Sequence, residues 1–337
     1  MGVNARLKFR IRTAVLSALL FSILLVAFTL YYWPIGDAYY PFNYGWNGCS
    51  TVFMLPTHAS LLYSYTDPLP AGNGLLAIIG PRIAFSADEA GRIHDFLTGG
   101  GTVLLADDYG TGNSLLQNLN VTARFSGKAI ADLYFYSKET IFPVISQFQP
   151  NPLTNNLTSI LMAHPSYIEN ASTSGFMELA ESSPFSFIDN SGNGTFYGTE
   201  ATQSYPVMAS TRIGSGVLVL VSNADLFANE LIDQLNNTIL FRNLLSNTSG
   251  TVVFDMAHVA RARLTDIRAA FRSEVEGLAV VLQSTFLRTV ITLGIILAFS
   301  GAFLRRRSAS RLRSPSQSGS ESTLHSEPLR LAGGDFR

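Results

Sequence analysis

Two long apolar stretches stand near the ends of the chain, and between them short apolar runs alternate with glycine, proline, serine and asparagine. From Thr13 to Trp33 no charged residue occurs, and about 20 apolar residues suffice for a helix to cross a hydrocarbon core about 30 Å thick. The second stretch, Thr289 to Leu304, is shorter and reaches that length if the helix starts near Phe286, with Arg288 snorkelling to the interface, or if it extends back through Leu278–Leu282. Transmembrane helices are therefore predicted over 13–33 and 286–304.

The first stretch has an alternative reading as a cleaved signal peptide, since Arg6, Lys8, Arg10 and Arg12 precede it. Its length and its end in Tyr31-Tyr32-Trp33-Pro34, an interfacial aromatic cluster in place of small cleavage-site residues, favour an uncleaved anchor.

Between the spans the pattern is α/β. Leu75–Ile79 is a continuous apolar run of the kind that forms a strand buried on both faces. Ser86, with Glu89 three residues on, is a capping box that opens a helix over Ala87–Leu97, with Ala90, Ile93, Phe96 and Leu97 on one face. Gly99-Gly100-Gly101 ends it, and Thr102–Ala106 is the next strand, which makes a right-handed βαβ unit with parallel strands. The segment 121–205 is less regular, with short strands and loops, and has the composition of an insertion. Strands at Tyr205–Thr211 and Val217–Val221, a helix over Glu230–Leu245 and a strand at Thr251–Phe254 follow. An amphipathic helix bearing Arg261, Arg263, Arg268 and Arg272 occupies 259–285.

Charge assigns the sides. Residues 33–285 carry 11 Lys/Arg against 21 Asp/Glu, whereas the two tails carry 11 against 3, so the overall net charge of −1 conceals a polarised chain. Basic flanks stay in the cytoplasm, which places both termini (1–12 and a disordered tail 305–337) inside and the domain 34–258 outside the cytoplasm. The acidic exterior excludes a nucleic-acid partner. Six Asn-x-Ser/Thr sequons, at Asn120, Asn156, Asn170, Asn193, Asn236 and Asn247, all fall in that domain, against about three expected by chance, and are the expected glycosylation positions. Cys49 is the single cysteine and closes no internal disulfide, so a hydrophobic core must hold the domain together.

In open α/β sheets ligands bind beyond the carboxyl ends of the strands. There the sequence places Asp107, Asp108, Gly110, Gly112 and Asn113 after one strand, Asn223 and Asp225 after a second, and Asp255 with His258 after a third. Two adjacent carboxylates beside flexible glycines suit a ligand or a divalent cation, and Asp255 with His258 suits an acid–base pair. The same residue types also serve as helix caps and turn formers. His58, His94 and His164 have no metal-ligand spacing, and the loop lacks the third glycine and the lysine of nucleotide-binding motifs, so neither zinc nor a nucleotide cofactor is expected. No Gly-x-Ser-x-Gly or Gly-x-Cys-x-Gly elbow exists.

Trp46-Asn47-Gly48-Cys49-Ser50, Ile79-Gly80-Pro81-Arg82, the run Phe96–Asn113, Gly214–Ser222 with Asn223 and Phe227, and Val252–His258 together resemble the domain-of-unknown-function 4350 family of prokaryotic membrane proteins. The resemblance implies a flavodoxin-like, class I glutamine amidotransferase-like layered domain with a mainly parallel central sheet, flanked by two transmembrane helices. It also implies partners among other membrane proteins, including components of ABC-type export systems, with a binding or scaffolding role. The amidotransferase cysteine nucleophile has no counterpart here. The expected function is a non-catalytic binding or scaffolding module at the lipid bilayer. The alternatives are a hydrolase using Asp107, Asp108, Asp255 and His258, and a structural cell-envelope protein.

Overall fold

The computed structural model describes residues 2–32, 36–69, 72–248 and 251–259, with isolated helical positions 267, 268, 271, 274, 275 and 277. The chain divides into two units, Met1–Arg272 and Ser273–Arg337, and every element named below belongs to the first. Helix α1 (Gly2–Tyr32) contains a 22-residue stretch, Arg10–Tyr31, that is long and apolar enough to cross a membrane and is not buried against the protein. A membrane anchor and a signal sequence share that form. The predicted second span 286–304 and the tail 305–337 lie outside the described residues, as does most of the predicted helix 259–285.

After the short α2 (Ser50–Met54) come β1 (His58–Leu62), β2 (Leu75–Ile79), α3 (Ala87–Thr98), β3 (Thr102–Ala106) and α4 (Asn113–Asn118). A series of short strands follows: β4 (Arg124–Phe125), β5 (Ile130–Asp132), β6 (Val144–Ile145), β7 (Gln147–Phe148), β8 (Ile160–Leu161), β9 (Ile168–Glu169), β10 (Met177–Glu181) and β11 (Ser186–Ile188). The chain then returns to long elements: β12 (Pro206–Ile213), β13 (Gly216–Val221), α5 (Asn237–Ser246) and β14 (Thr251–Asp255).

The main sheet has eight strands in the order β1-β14-β2-β3-β13-β12-β10-β7. Its first five strands are parallel and the last three antiparallel, giving a mixed α/β fold with a mostly parallel centre. Side chains alternate across the sheet with the period of two that strands impose. Leu75, Ala77, Leu104, Val219, Val221 and Phe254 pack on one face with Leu240, Phe241 and Leu244 of α5. Leu76, Ile78, Val103, Leu105, Leu218 and Val253 pack on the other with Ala90, Ile93 and Leu97 of α3. Continuous apolar runs are thus needed because helices cover both faces.

The β2-α3-β3 unit matches the expectation: the strands are parallel neighbours, and Ser86 and Glu89 form a reciprocal capping box. Two expectations are corrected. The helix predicted from Glu230 begins only at Asn237, because Leu235 adopts a left-handed conformation (φ 47°) that interrupts a helix, and Asn237 is buried with its amide bonded to the carbonyls of Leu161 and Leu231. The segment 121–205 is also more than an insertion, since its β7 and β10 extend the main sheet as antiparallel strands.

Candidate functional site

Because β2, β3, β13 and β14 run parallel, their carboxyl ends meet at one edge; Ala106 lies level with Ile79 on one side and Val221 on the other. Each strand releases its next residue there, which is why acidic groups far apart in sequence gather at this edge.

Asp107 is fully buried and turns back on its own loop. Its carboxylate accepts from the backbone N–H of Tyr109 at 2.9 Å and of Gly112 at 2.6 Å. Burial raises its pKa, against the opposing pull of those N–H groups and of Arg82. Asn113 does not cap α4; its side chain pairs with both backbone groups of Phe125 in β4, at 2.8 and 2.9 Å. Gly110 adopts φ 84°, as this turn demands.

Asp108 points across to the loop after β13. Its Oδ1 accepts from Asn223 Nδ2 and from the Ala224 N–H, both at 2.9 Å, and Asn223 also donates to the Ala163 carbonyl at 2.7 Å. Burial, and then the neighbouring Asp225 charge, push the Asp108 carboxyl well above the usual range. Asp225 in turn accepts from the Tyr39 hydroxyl at 2.7 Å. Burial raises the Asp225 pKa as well, with Tyr39, His164 and Arg82 opposing.

Tyr39 reaches this position because Gly80, at the end of β2, leaves room: a Cβ there would lie 2.2 Å from the tyrosine ring. Asp225 lines a cavity of about 290 Å³ whose other walls are Trp46, Phe142, Ala163, His164, Ala228, Glu230 and Leu231. His164 adopts φ 46°, and its ring stands 6.0 Å from that of Phe142.

Asp255 and His258 form a separate, enclosed group. His258 Nδ1 is 2.8 Å from Asp255 Oδ2, its Nε2 is 3.5 Å from Glu89 Oε2, and Phe85 stacks on the ring at 3.6 Å. Both Asp255 and His258 are almost inaccessible to solvent. Burial works against the imidazolium, yet the two carboxylates outweigh it and raise the His258 pKa. The carbonyl of His258 accepts from the N–H groups of Arg82 and Ile83, so this group also fixes the exit of β2.

The structure thus joins Asp107, Asp108, Asn223 and Asp225 at one edge but not in one pocket, and sets Asp255 with His258 apart. Among these residues, Asp225 alone lines the cavity. Sequence reading did not single out Tyr39, Trp46, His164 or Glu230 as its partners, for they come from loops with no periodic signal; Glu89 carried a signal, but only as a helix cap. Cys49 is fully buried, its thiol donates to the Phe227 carbonyl at 3.4 Å, and burial pushes its pKa up, which leaves it unsuited as a nucleophile. Among the described residues, no three His, Cys, Asp or Glu side chains are placed to hold a metal.

Five of the sequon asparagines are exposed and Asn236 is half-buried. Asn120, Asn156 and Asn170 have φ between 56° and 59°, a conformation that asparagine tolerates better than most residues, so local turn chemistry accounts for three of the six. Asn236 accepts from the backbone N–H groups of Thr158 and Ser159 and from the Thr158 hydroxyl, and so clamps a neighbouring loop.

A family model described as "Domain of unknown function (DUF4350)" matches residues 41–245. No curated protein matches. Among solved structures, the "mmIFT52 N-terminal domain" aligns with 51% of this chain and 75% of its own, at 15% identity and a TM-score of 0.40. A beta-galactosidase from Bacillus circulans sp. alkalophilus aligns at 15% identity and a TM-score of 0.32, covering 52% of this chain and 22% of its own. The exo-beta-1,4-mannosidase Op5Man5 from Opitutaceae bacterium strain TAV5 gives 15% identity, a TM-score of 0.30, and coverage of 53% and 26%. The chain therefore spans less than a third of either glycosidase, and likenesses this distant carry no functional argument.

Proposed function

The chain belongs to the DUF4350 family, and from that premise we propose that its domain over 34–258 is a non-catalytic binding or scaffolding module, tethered to the membrane by α1, which receives a cationic group of a ligand or partner protein beside Asp225. The observation that carries this reading is the cavity itself: two carboxylates, Asp225 and Glu230, stand beside the aromatic walls Trp46 and Phe142. Carboxylates and aromatic faces together favour an amine or guanidinium, each cation–π contact contributing about 0.5–2 kcal/mol. The burial of Cys49 and the enclosure of Asp255 with His258 keep these three candidates away from a substrate at this edge, which supports binding over hydrolysis by them.

The parallel centre of the sheet, covered by helices on both faces, supports a flavodoxin-like layered fold similar to class I glutamine amidotransferases. The acidic composition of 33–285 against the basic tails supports an extracytoplasmic position, with other membrane proteins, including ABC-type transporter components, as partners.

The chain has two tryptophans, so a Trp33→Phe background leaves Trp46 as the sole indole reporter. Full-length protein in nanodiscs, titrated with arginine amide, should give a saturable fluorescence change. Asp225→Asn, which keeps an acceptor for Tyr39, should abolish it. A linear response that is the same in Asp225→Asn would overturn the reading.

A further inference from the structure

The twelve residues from Asp189 to Glu200 read Asp-Asn-Ser-Gly-Asn-Gly-Thr-Phe-Tyr-Gly-Thr-Glu. With Asp189 as the first position, oxygen-bearing side chains occupy the first, third, fifth and twelfth places (Asp189, Ser191, Asn193, Glu200), and glycine occupies the sixth (Gly194). This is the spacing of a calcium-binding loop, where alternate side chains converge on the ion, the sixth residue makes a sharp turn and a glutamate closes the shell. Serine at the third place departs from the commoner Asp or Asn, supplying a neutral oxygen instead. Only two of the four side chains are acidic, so it is the register, not an accumulation of charge, that draws attention to the loop.

The geometry bears this out independently of the spacing. Gly194 has φ 69°, and a Cβ there would lie 2.4 Å from Thr140 Oγ1, so the sixth place requires glycine on both counts. Asp189 Oδ2 accepts from the Gly194 N–H at 2.8 Å, and Oδ1 accepts from the Gly192 N–H at 2.9 Å. The first, third and fifth oxygens meet: Ser191 Oγ lies 2.8 Å from Asp189 Oδ1 and 2.5 Å from Asn193 Oδ1.

The proton count there is short. Asn193 is fixed in orientation, since its Oδ1 accepts from the Thr195 N–H at 2.9 Å while its Nδ2 faces the Tyr197 hydroxyl at 3.1 Å. Its Oδ1 is therefore an acceptor, and so are both oxygens of Asp189, which accept from the Gly192 and Gly194 N–H groups. The serine hydroxyl has one proton to give. It can satisfy one of these two oxygens, and the other approach brings lone pairs together with nothing between them. A cation shared by all three oxygens removes that conflict.

We propose that Asp189–Glu200 is a Ca²⁺ loop, with ligands from the side chains of Asp189, Ser191, Asn193 and Glu200 and from the Thr195 carbonyl at the seventh place. Two carboxylates among several neutral oxygens favour Ca²⁺ over the smaller, more strongly hydrated Mg²⁺, and they place the affinity near that of weak extracellular modules, about 10⁻⁴ to 10⁻³ M. Glu200 accepts from the Tyr197 N–H at 3.1 Å, which keeps it next to the fifth-place partner Tyr197 and within its own loop.

The test is calorimetric titration of the full-length protein in detergent micelles with Ca²⁺ alone, repeated with Mg²⁺. One equivalent of Ca²⁺ should bind saturably, and Asp189→Asn and Glu200→Gln should each weaken binding about tenfold or more. Asp67→Asn, an exposed acid elsewhere, should bind as the parent does. Asp189 also holds the loop's N–H groups, so if Asn at this position unfolds the protein, Glu200→Gln decides alone. No saturable binding up to about 10 mM Ca²⁺, or undiminished binding in the folded Glu200→Gln variant, overturns the proposal.

Discussion

The Tyr39 hydroxyl donates to Asp225 Oδ1 at 2.7 Å across 186 residues of sequence, tying the segment that follows α1 to the loop after β13. The contact depends on a third residue, because the tyrosine ring occupies the space in front of Gly80. Asp225 is consequently both a wall of the cavity and an anchor for the entry of the chain into the domain.

Removing the hydroxyl while keeping the ring should separate those roles. Tyr39→Phe is expected to cost about 1 kcal/mol of stability in urea unfolding, the net worth of one hydrogen bond. Gly80→Ala should cost more than Tyr39→Phe, since its methyl would collide with the ring at 2.2 Å and φ 58° is unfavourable for alanine.

His258 links stability to pH. Its folded pKa lies above the ordinary imidazole value of 6.5, so its contribution is present in full below about pH 6.5 and is lost as pH rises through the folded value. Thermal midpoints measured from mildly acidic to alkaline pH should fall across that interval, and the imidazole NMR titration of His258 should midpoint above 6.5. His258→Ala, which strands Asp255 in the interior, should cost about 3–5 kcal/mol.

Glu89 serves two partners at once, capping α3 through Ser86 and facing His258. Glu89→Gln should therefore lower the His258 pKa in the same NMR titration. Ser86→Ala should instead cost about 1 kcal/mol of stability through loss of the cap, and an equal shift of His258 in both variants would contradict this division.

Asn223 holds together three chain segments, donating to Asp108 and to the Ala163 carbonyl and accepting from the Leu226 N–H at 3.0 Å. Asn223→Ala leaves several buried groups unpaired and should cost about 3 kcal/mol or more, read from denaturant midpoints.

Asn156 tests the origin of the sequons. If its φ of 59° is why asparagine stands there, Asn156→Gly should be close to neutral, whereas Asn156→Ala should cost about 1 kcal/mol. Equal losses in both would point to a side-chain role instead.

Periodicity and punctuation were enough to read the apolar N-terminal helix, the β2-α3-β3 unit with its capping box, and the buried strands β13 and β14, because each depends on residues adjacent in sequence. The same reading placed Asp107, Asp108, Asn223, Asp225, Asp255 and His258 at strand ends, since strand direction alone dictates which residues leave at the carboxyl edge. Which of them face a cavity was decided only in three dimensions. Asp107 is drawn into its own turn, Asp108 into the β13 loop, and Asp255 into the interior with His258 and Glu89, because a carboxylate removed from water takes whatever donors the neighbouring segments bring. Tyr39, Trp46 and His164 reach Asp225 through loops whose course no local pattern records, and β7 and β10 join the sheet by pairing with a strand remote in sequence. The Asp189–Glu200 loop lies between these cases: its spacing is written in twelve consecutive residues, but only the folded turn brings the oxygens of Asp189, Ser191 and Asn193 together.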